Sequence, residues 1–529
     1  MSNVYTMSVS EKFSKYFESN DNFSPKFIYS IEEDKIENNK ELTVQRWETE
    51  KAGIPLAWSP KNKTVAIDHT DSHTLVIGPT GSKKSRLIAM PAVRILGAGG
   101  ESMIISDPKA EIYNRTAGYL ESIGYRISVI NLRSPLYGQK WNPLYIPYSF
   151  FELGEIDKAY EFVNDISENL FHANPSNKDP FWDNSAGSLF FGLTLLLFKY
   201  CKDFERSAAD IHIGNVIKLR NDLFSTANGS INRRLWDYAK QDPIIRSALI
   251  GTVETAKDTR GGILSTFDQA VRIFTIQPNL LNMLSSNDID FDSIGKKPTA
   301  IYLIVPDEKT GYHGLVSLFI KQSYEYMIFR AQENDSSAFN VGKLSLRVNY
   351  LLDEFSSLPT ISDFPAMITA ARSRNIRFTL VIQSKHQLTQ RYKEEAETIQ
   401  TNCNNWVFLT SRELQFLEEI SALCGKTTDD NPKPILSVSA LQHLDKERGE
   451  ALIISGRLRP RITCLPDIDN YDNGSYKKRN VTSREMHSLL EIDFTIPLTE
   501  EEKKRQENIE RMFKNDLINM NKLKGEEKE

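Results

Sequence analysis

The stretch 75-LVIGPTGSKKS-85 decides the fold, because an apolar run ends there on a glycine-rich turn that is followed by two lysines and a serine. Residues 75–77 predict a short buried strand, and residues 86–96 continue with a helical pattern. A strand, a glycine-rich turn and a helix in this order give the layout of a phosphate-binding loop, G-x-x-x-x-G-K-[ST]. The stretch therefore predicts a nucleotide site within an α/β fold.

Each part of such a loop has a chemical role. Backbone N–H groups of the turn would surround phosphate at the positive end of the following helix. Lys84 would reach the β- and γ-phosphates, and Ser85 would bind Mg²⁺ through its hydroxyl group. The predicted nucleotide-binding residues are Gly78, Pro79, Thr80, Gly81, Ser82, Lys83, Lys84 and Ser85.

One position departs from this pattern, because Lys83 stands where the loop usually has glycine. Glycine adopts left-handed backbone conformations that strain other residues. Two outcomes stay open from the sequence. A negative φ at Lys83 would leave the loop intact, with the ammonium group facing phosphate or solvent; otherwise the substitution impairs the loop and its turnover of nucleotide.

A second acidic motif follows a later apolar run, in 349-NYLLDEF-355. A buried strand would deliver Asp353 and Glu354 at its carboxyl end, where open α/β sheets place their ligands. There Asp353 would position Mg²⁺ through water, and Glu354 would polarise the attacking water as a general base. The alternative is an ordinary acidic strand end, but its pairing with the loop at 78–85 favours the catalytic interpretation.

Apolar runs that predict strands recur at residues 103–105, 127–130, 301–306, 350–355, 378–383 and 406–411. Helical patterns between them are typical of a parallel α/β sheet. From about residue 150 to 285 the pattern is mostly helical, which predicts an all-α domain inserted into the α/β domain. The expected division is a polar arm (1–54), a nucleotide-binding domain in two parts (55–149 and 286–475), the insertion (150–285) and a charged tail (476–529).

Composition excludes several classes of protein. Four cysteines in 529 residues, none in a C-x-x-C pair, exclude a disulfide scaffold and argue against a zinc site. The net charge of -5 implies that any contact with nucleic acid is local. The longest apolar run, residues 189–198, is shorter than the roughly 20 residues of a membrane span, so it predicts a buried helix. The chain is therefore expected to have no transmembrane segment of its own.

Five segments together resemble a known family: GPTGSKKS, SDPKAEIY, YLLDEFSSLP, ARSRNIRFTLVIQSKHQL and NCNNWVFLTSRE, which lie in this order from about residue 70 to 465. They are similar to the coupling ATPases of type IV secretion and conjugation, the TraG/TraD-like group. The resemblance implies a RecA-like P-loop domain with an all-α insertion, ATP and Mg²⁺ as ligands, and assembly as a ring hexamer. It also implies transfer of relaxase-bound single-stranded DNA, or of protein, to a secretion channel.

The same resemblance implies roles for two further residues. Arg372 falls where the family keeps an arginine that acts on the γ-phosphate of the neighbouring subunit, although Arg374 is close by and competes for this assignment. Gln383 matches the family's glutamine that senses the γ-phosphate. With Lys84 and Glu354, these residues complete the predicted catalytic set.

The resemblance has two departures besides Lys83. The family usually begins with membrane helices, and Ala110 in 107-DPKAE-111 stands where glycine is common, which is a lesser change. We expect a cytoplasmic protein, or one bound peripherally at the inner face of the membrane through channel components or a separate membrane partner. Two other functions stay open: a soluble DNA-translocating ATPase of mobile-element maintenance or defence, and a scaffold that binds nucleotide without hydrolysing it.

Overall fold

The computed structural model describes residues 29–30, 52–59, 64–171, 179–224, 231–306, 308, 310–333, 342–426, 432–456, 458, 460–471, 476–485, 489, 491–497, 508 and 511. Most of the predicted polar arm, and nearly all of the predicted tail beyond residue 497, lie outside these residues.

Strands and helices alternate along most of the described chain. The strands are β1 (Tyr29–Ser30), β2 (Ile54–Ser59), β3 (Thr64–Asp68), β4 (Thr74–Ile77), β5 (Ser102–Ser106), β6 (Arg126–Asn131), β7 (Thr299–Ile304), β8 (Val348–Leu352), β9 (Ile376–Ile382), β10 (Asn405–Phe408), β11 (Glu450–Ser455) and β12 (Arg461–Cys464). The helices of the nucleotide-binding part are α1 (Met90–Ala98), α2 (Glu111–Ser122), α11 (His313–Glu333), α12 (Phe364–Ala371), α13 (Lys385–Tyr392), α14 (Glu395–Asn402), α15 (Leu414–Leu423) and α16 (Val438–Gln442).

The helices between β6 and β7 are α3 (Tyr145–Leu153), α4 (Ile156–Phe171), α5 (Pro180–Asp203), α6 (Ile213–Phe224), α7 (Arg233–Ala239), α8 (Pro243–Val253), α9 (Lys257–Thr275) and α10 (Pro278–Met283). They occupy the region where the all-α insertion is predicted, and the domain boundaries themselves stay predictions. The apolar run 189–198 lies within α5, where Leu193, Leu196 and Phe198 are fully buried. The prediction of a buried helix is therefore confirmed.

Within the described residues, nine strands form the larger sheet in the order β12-β11-β10-β4-β9-β8-β5-β7-β6. The strands from β10 to β6 run parallel, whereas β11 and β12 add antiparallel pairs at one edge. A smaller antiparallel sheet, β1-β3-β2, precedes them. The predicted α/β class is confirmed, and each predicted apolar run coincides with a parallel strand, while the antiparallel strands have no counterpart in the prediction.

Both faces of the larger sheet are covered. Alternate residues of one strand enter different hydrophobic clusters: Leu75 and Ile77 of β4 face the cluster that includes the inserted helices, and Val76 faces the cluster that contains α1 and α2. Successive side chains of a strand point to opposite faces, so a sheet buried on both faces needs continuous apolar runs. Such runs are why the parallel strands are visible in the sequence.

After β12, two described segments pack against different parts of the molecule, and we call residues 476–485 and 491–497 together the C-terminal strap. The ring of Tyr476 packs edge-on against Tyr119 of α2, with centroids 5.3 Å apart. Further along, Phe494 packs against Tyr200 of α5, with centroids 5.0 Å apart, and Ile492 is buried. This packing differs from the charged tail predicted from residue 476 onwards, because apolar residues beyond the charged ones reach the core.

Candidate nucleotide site

The phosphate-binding loop follows β4, and two of its glycines are required by its geometry. Gly81 has φ +83°, in the left-handed region that favours glycine. A Cβ on Gly78 would lie 2.5 Å from Oγ of Ser82, so a side chain there would clash with the loop. The turn therefore has the tight, inward-folded backbone that the sequence predicts at this position.

Lys83 has φ +66°, so it occupies the left-handed region although it carries a side chain. The negative φ that would make lysine harmless here is therefore not found. Nζ of Lys83 lies 2.7 Å from Oε2 of Glu447, in the turn between α16 and β11. The ammonium group thus points to this turn, and the loop keeps its shape at the cost of local backbone strain.

Lys84 turns its buried side chain into the loop. Its Nζ donates to the carbonyl oxygen of Gly78 at 2.6 Å and lies 3.3 Å from that of Pro79. Burial lowers the pKa of Lys84, and the neighbouring carboxylates of Glu354 and Asp353 oppose this shift. A cation whose only partners here are carbonyl oxygens and nearby carboxylates is suited to exchange them for phosphate.

Ser85 begins a π-helical turn, Ser85–Ala89, which continues into α1. Met90 N–H donates to the carbonyl of Ser85 in the wider π pattern, and the next residue, Pro91, has no N–H to donate. Oγ of Ser85 lies 3.3 Å from Oδ2 of Asp353. The structure thus brings together the two residues predicted to hold Mg²⁺.

Asp353 and Glu354 follow β8 directly, where the strand prediction extended three residues too far. Asp353 is buried, and burial together with the adjacent Glu354 raises its pKa to about 6. Glu354 has φ +54°, and its N–H donates to Oδ1 of Asp353 at 3.0 Å. A non-glycine residue held in this region at the end of a buried strand is typical of functional sites.

Gln383 follows β9, which lies between the loop strand β4 and the acidic strand β8. Its Nε2 donates to Oε2 of Glu354 at 2.8 Å, and its Oε1 accepts from Oγ1 of Thr80 at 3.1 Å. The carboxyl ends of three neighbouring strands therefore meet in one chain of hydrogen bonds. The sequence named Thr80 only as a part of the loop backbone, and no local pattern signals this side-chain contact.

Asp107, at the carboxyl end of β5, lies behind this site. It is buried, which raises its pKa to about 7, and its Oδ2 accepts from the N–H of Tyr113 at 2.7 Å. That bond satisfies a backbone donor in the first turn of α2. Asp107 therefore supports the site by fixing a helix, as a packing residue.

Arg372 lies at the opposite edge of the sheet, where α12 ends before β9 begins. The length of β9, roughly 20 Å at about 3.3 Å per residue, separates it from Gln383. Its guanidinium group is half exposed and lies 3.1 Å from Oδ1 of Asp71. Arg374 is less exposed and bonds locally to Ser373 at 2.6 Å. Neither arginine can reach the phosphate loop of its own chain.

The residues at the loop fit a nucleotide with magnesium. Oγ of Ser82 is buried and has no hydrogen-bond partner among the described residues, so a phosphate oxygen would satisfy it. A hydroxyl group and a carboxylate are the oxygen ligands that Mg²⁺ takes alongside phosphate and water. Beside the loop, a cleft of about 400 Å³ extends towards Leu409 and His443. It offers room for the remainder of a nucleotide.

Comparison with known proteins agrees with this geometry. Residues 27–433 match the family described as type IV secretory system conjugative DNA transfer. No curated protein matches the sequence. Among solved structures, the plasmid coupling protein TrwB in complex with the non-hydrolysable ATP analogue ADPNP has 14% identity and a TM-score of 0.54, over 83% of this chain and 92% of that one.

Two other structures of the same protein are similar. The unbound conjugative coupling protein TrwBdeltaN70 has 13% identity and a TM-score of 0.53, over 78% of this chain and 88% of that one. TrwB in complex with ADP and Mg²⁺ has 14% identity and a TM-score of 0.52, over 80% of this chain and 89% of that one. At these identities the likeness shows the RecA-like fold. Throughout the described residues, no helix is both long and apolar enough to cross a membrane.

Proposed function

The chain belongs to the type IV secretory system conjugative DNA transfer family, and from that premise we propose that it is an ATP-driven coupling ATPase. It recruits DNA, as a relaxase-bound single strand, or a protein substrate, and passes it to a secretion or conjugation channel. It works as a ring hexamer at the cytoplasmic face of the membrane, held there by channel components or a separate membrane partner. ATP with Mg²⁺ is the expected ligand, since TrwB has been solved with a non-hydrolysable ATP analogue and with ADP and Mg²⁺.

One observation carries the proposal: the loop lysine, the serine, both acidic residues and the glutamine converge at the carboxyl edge of one parallel sheet. Ser85 lies 3.3 Å from Asp353, and Gln383 lies 2.8 Å from Glu354. These residues come from three separate parts of the sequence. An ordinary acidic strand end would not need to meet a phosphate loop in this way.

The residues divide the work of phosphate transfer. Magnesium, if bound between Ser85 and Asp353, would supply positive charge that neutralises phosphate. In this chain, Ser85 and Asp353 hold the metal position, and Lys84 leaves the carbonyl oxygens of the loop to pair with phosphate. Glu354 accepts a proton from the attacking water, and Gln383 donates an N–H to the terminal phosphate.

Arg372 completes the site from a neighbouring subunit. It lies at the far edge of the sheet from its own loop and is half exposed, so it is free to enter a site that another copy contributes. A guanidinium group pairs well with phosphate oxygens, and such an arginine contributes roughly 10³–10⁵ in rate in other phosphoryl-transfer systems. The ring is therefore part of the catalytic machinery.

Steady-state ATP hydrolysis, measured with and without single-stranded DNA, tests the proposal. We expect turnover that DNA stimulates and that Lys84→Ala abolishes, because the phosphate charge loses its counter-ion. Lys257→Ala is the matched control, since Lys257 is an exposed lysine at the start of α9, among the inserted helices. Turnover in Lys84→Ala equal to that of the unmodified protein would contradict the site.

A second function is favoured by one observation, the left-handed backbone of Lys83. A strained loop could hold nucleotide without positioning it for hydrolysis, which would make the chain a nucleotide-binding scaffold. The same assay separates the two functions when nucleotide binding is measured beside it. Binding without turnover, and turnover restored by Lys83→Gly, would support the scaffold.

A further inference from the structure

We propose that Thr80 is a positioning residue, which holds the side-chain amide of Gln383 so that its NH₂ group faces both Glu354 and the phosphate site. The inference rests on the proposed function of the site. It assigns a role to a side chain of the loop, whereas the phosphate contacts of such loops come from backbone N–H groups, the lysine and the serine or threonine after it.

The chemistry of the three groups fixes the direction of the hydrogen bonds. A carboxylate accepts and cannot donate, so Glu354 requires the NH₂ group of Gln383 on its side, at 2.8 Å. The amide oxygen must then face Thr80, whose hydroxyl is 3.1 Å away and donates to it. A flipped amide would set two acceptors against each other at Glu354. Thr80 therefore stabilises the same orientation that the carboxylate favours.

This orientation leaves one donor for the nucleotide. The NH₂ group has two N–H bonds, and Glu354 takes one of them. The other is available for a phosphate oxygen at the same edge of the sheet, because Gln383 directly follows β9, which lies beside the loop strand. Without the hydroxyl of Thr80, the amide oxygen loses its partner and Glu354 alone orients the amide, so orientations that turn an acceptor towards phosphate become more populated.

Thr80 also ties this amide to the state of the loop. It directly follows Pro79, whose carbonyl oxygen lies 3.3 Å from Nζ of Lys84, while the carbonyl of Gly78 lies at 2.6 Å. When Lys84 turns to phosphate, it releases the carbonyl oxygens of Gly78 and Pro79, the two residues that precede Thr80. The hydrogen bonds from Thr80 to Gln383 and from Gln383 to Glu354 therefore connect the binding of phosphate in the loop with the position of Glu354.

Two variants at one position test the inference. Thr80→Val keeps the shape of the side chain and removes the hydroxyl group, whereas Thr80→Ser keeps the hydroxyl. We expect Thr80→Val to lower kcat about threefold to tenfold, the worth of one hydrogen bond. Thr80→Ser should recover most of that loss. In a Gln383→Ala background, Thr80→Val should lower kcat no further, because the amide that it orients is gone.

Binding separates positioning from damage to the loop. We expect Thr80→Val to weaken the affinity for a non-hydrolysable ATP analogue by a similar factor and to leave the affinity for ADP within about twofold. A damaged loop would weaken both. Equal behaviour of Thr80→Val and Thr80→Ser in turnover and in the ratio of the two affinities would overturn the inference. If the unmodified protein shows no turnover, the proposed function fails, and the affinity ratio still decides the role of Thr80.

Discussion

Lys83 carries a backbone penalty that glycine would not have. Its φ of +66° lies in the left-handed region, which costs a residue with a Cβ roughly 1–2 kcal/mol. The ion pair with Glu447 offsets little of this cost, because the glutamate side chain is 78% exposed and pairs in water are weak. The lysine is therefore a local source of strain in a loop that must keep its shape.

Replacing this residue tests the strain directly. Lys83→Gly should raise the free energy of unfolding by roughly 1 kcal/mol relative to Lys83→Ala, since both variants lose the ion pair and only alanine keeps the penalty. Chemical denaturation of the two variants measures the difference. Equal stabilities would show that the left-handed conformation of this position carries no penalty.

Glu354 and Asp353 can be separated by one substitution. Glu354→Gln should keep ATP binding and reduce hydrolysis by at least about 100-fold, because the proposed general base is lost while the proposed metal position at Asp353 stays. Binding of a fluorescent ATP analogue and steady-state turnover measure the two effects. A Glu354→Gln protein that cannot bind ATP would contradict this division of roles.

At the scale of elements, His73 links three of them: strand β4, strand β9 and helix α12. It precedes β4 and is fully buried. Its Nδ1 accepts from the N–H of Phe378 in β9 at 2.9 Å, so Nε2 carries the proton and donates to the carbonyl of Ile368 in α12 at 2.8 Å. A second proton would have to sit on Nδ1, where it would face the N–H of Phe378, which is also a donor. Burial, with the charges of Arg372 and Arg377, lowers the pKa of His73 to about 4.

This pKa predicts a loss of stability in acid. The unfolded chain takes up a proton on His73 near pH 6.5 and the folded chain only near pH 4, so the unfolded state gains protons first as the pH falls. Between these values the fold should lose about 3 kcal/mol relative to His73→Gln, which cannot titrate. Unfolding experiments from pH 7 to 4 on both proteins measure the difference.

The unmodified protein must be compared with His73→Gln because buried acids change the stability in the opposite direction as the pH falls. The pKa values of Asp107 and Asp353 are raised to about 7 and about 6, so protonation of these groups favours the folded state as the pH falls. They do so equally in both proteins. Parallel pH profiles of the two proteins would show that His73 does not titrate as described.

The fold was predictable where burial leaves a pattern. Parallel strands covered on both faces need unbroken apolar runs, and these are plain in the sequence. Strand β12 is partly exposed, with Arg461 and Thr463 among its residues, so it lacks such a run and escapes prediction. The candidate site divides in the same way. Lys84 and Asp353 lie in local motifs, whereas the contact of Thr80 with Gln383 depends on strand order, which no local pattern contains.

At the scale of the whole molecule, the role proposed for Arg372 would make catalysis a property of the assembly. Turnover per chain should rise with protein concentration, because an arginine at the far edge of the sheet serves only a neighbour. Arg372→Ala should flatten this rise and leave ATP affinity nearly intact. Measuring turnover against concentration for both proteins, with analytical ultracentrifugation beside it, checks this prediction.

Mixing two inactive variants sharpens the test. Arg372→Ala supplies an intact loop and Lys84→Ala supplies an intact arginine, so mixed rings should recover part of the activity that neither variant shows alone. Arg374→Ala in place of Arg372→Ala decides between the two arginines. No recovery in a preparation shown to contain mixed rings would count against Arg372.

The C-terminal strap limits the distance by which the sheet and the inserted helices can separate. Its two ends are fixed, by Tyr476 on α2 and by Phe494 on α5, and an extended chain lengthens to at most about 3.6 Å per residue. The sheet and the inserted helices can therefore move apart only as far as the strap has slack, or one end must detach. While both ends stay packed, the C-terminal strap limits how far the inserted helices can separate from the sheet, whatever drives them apart.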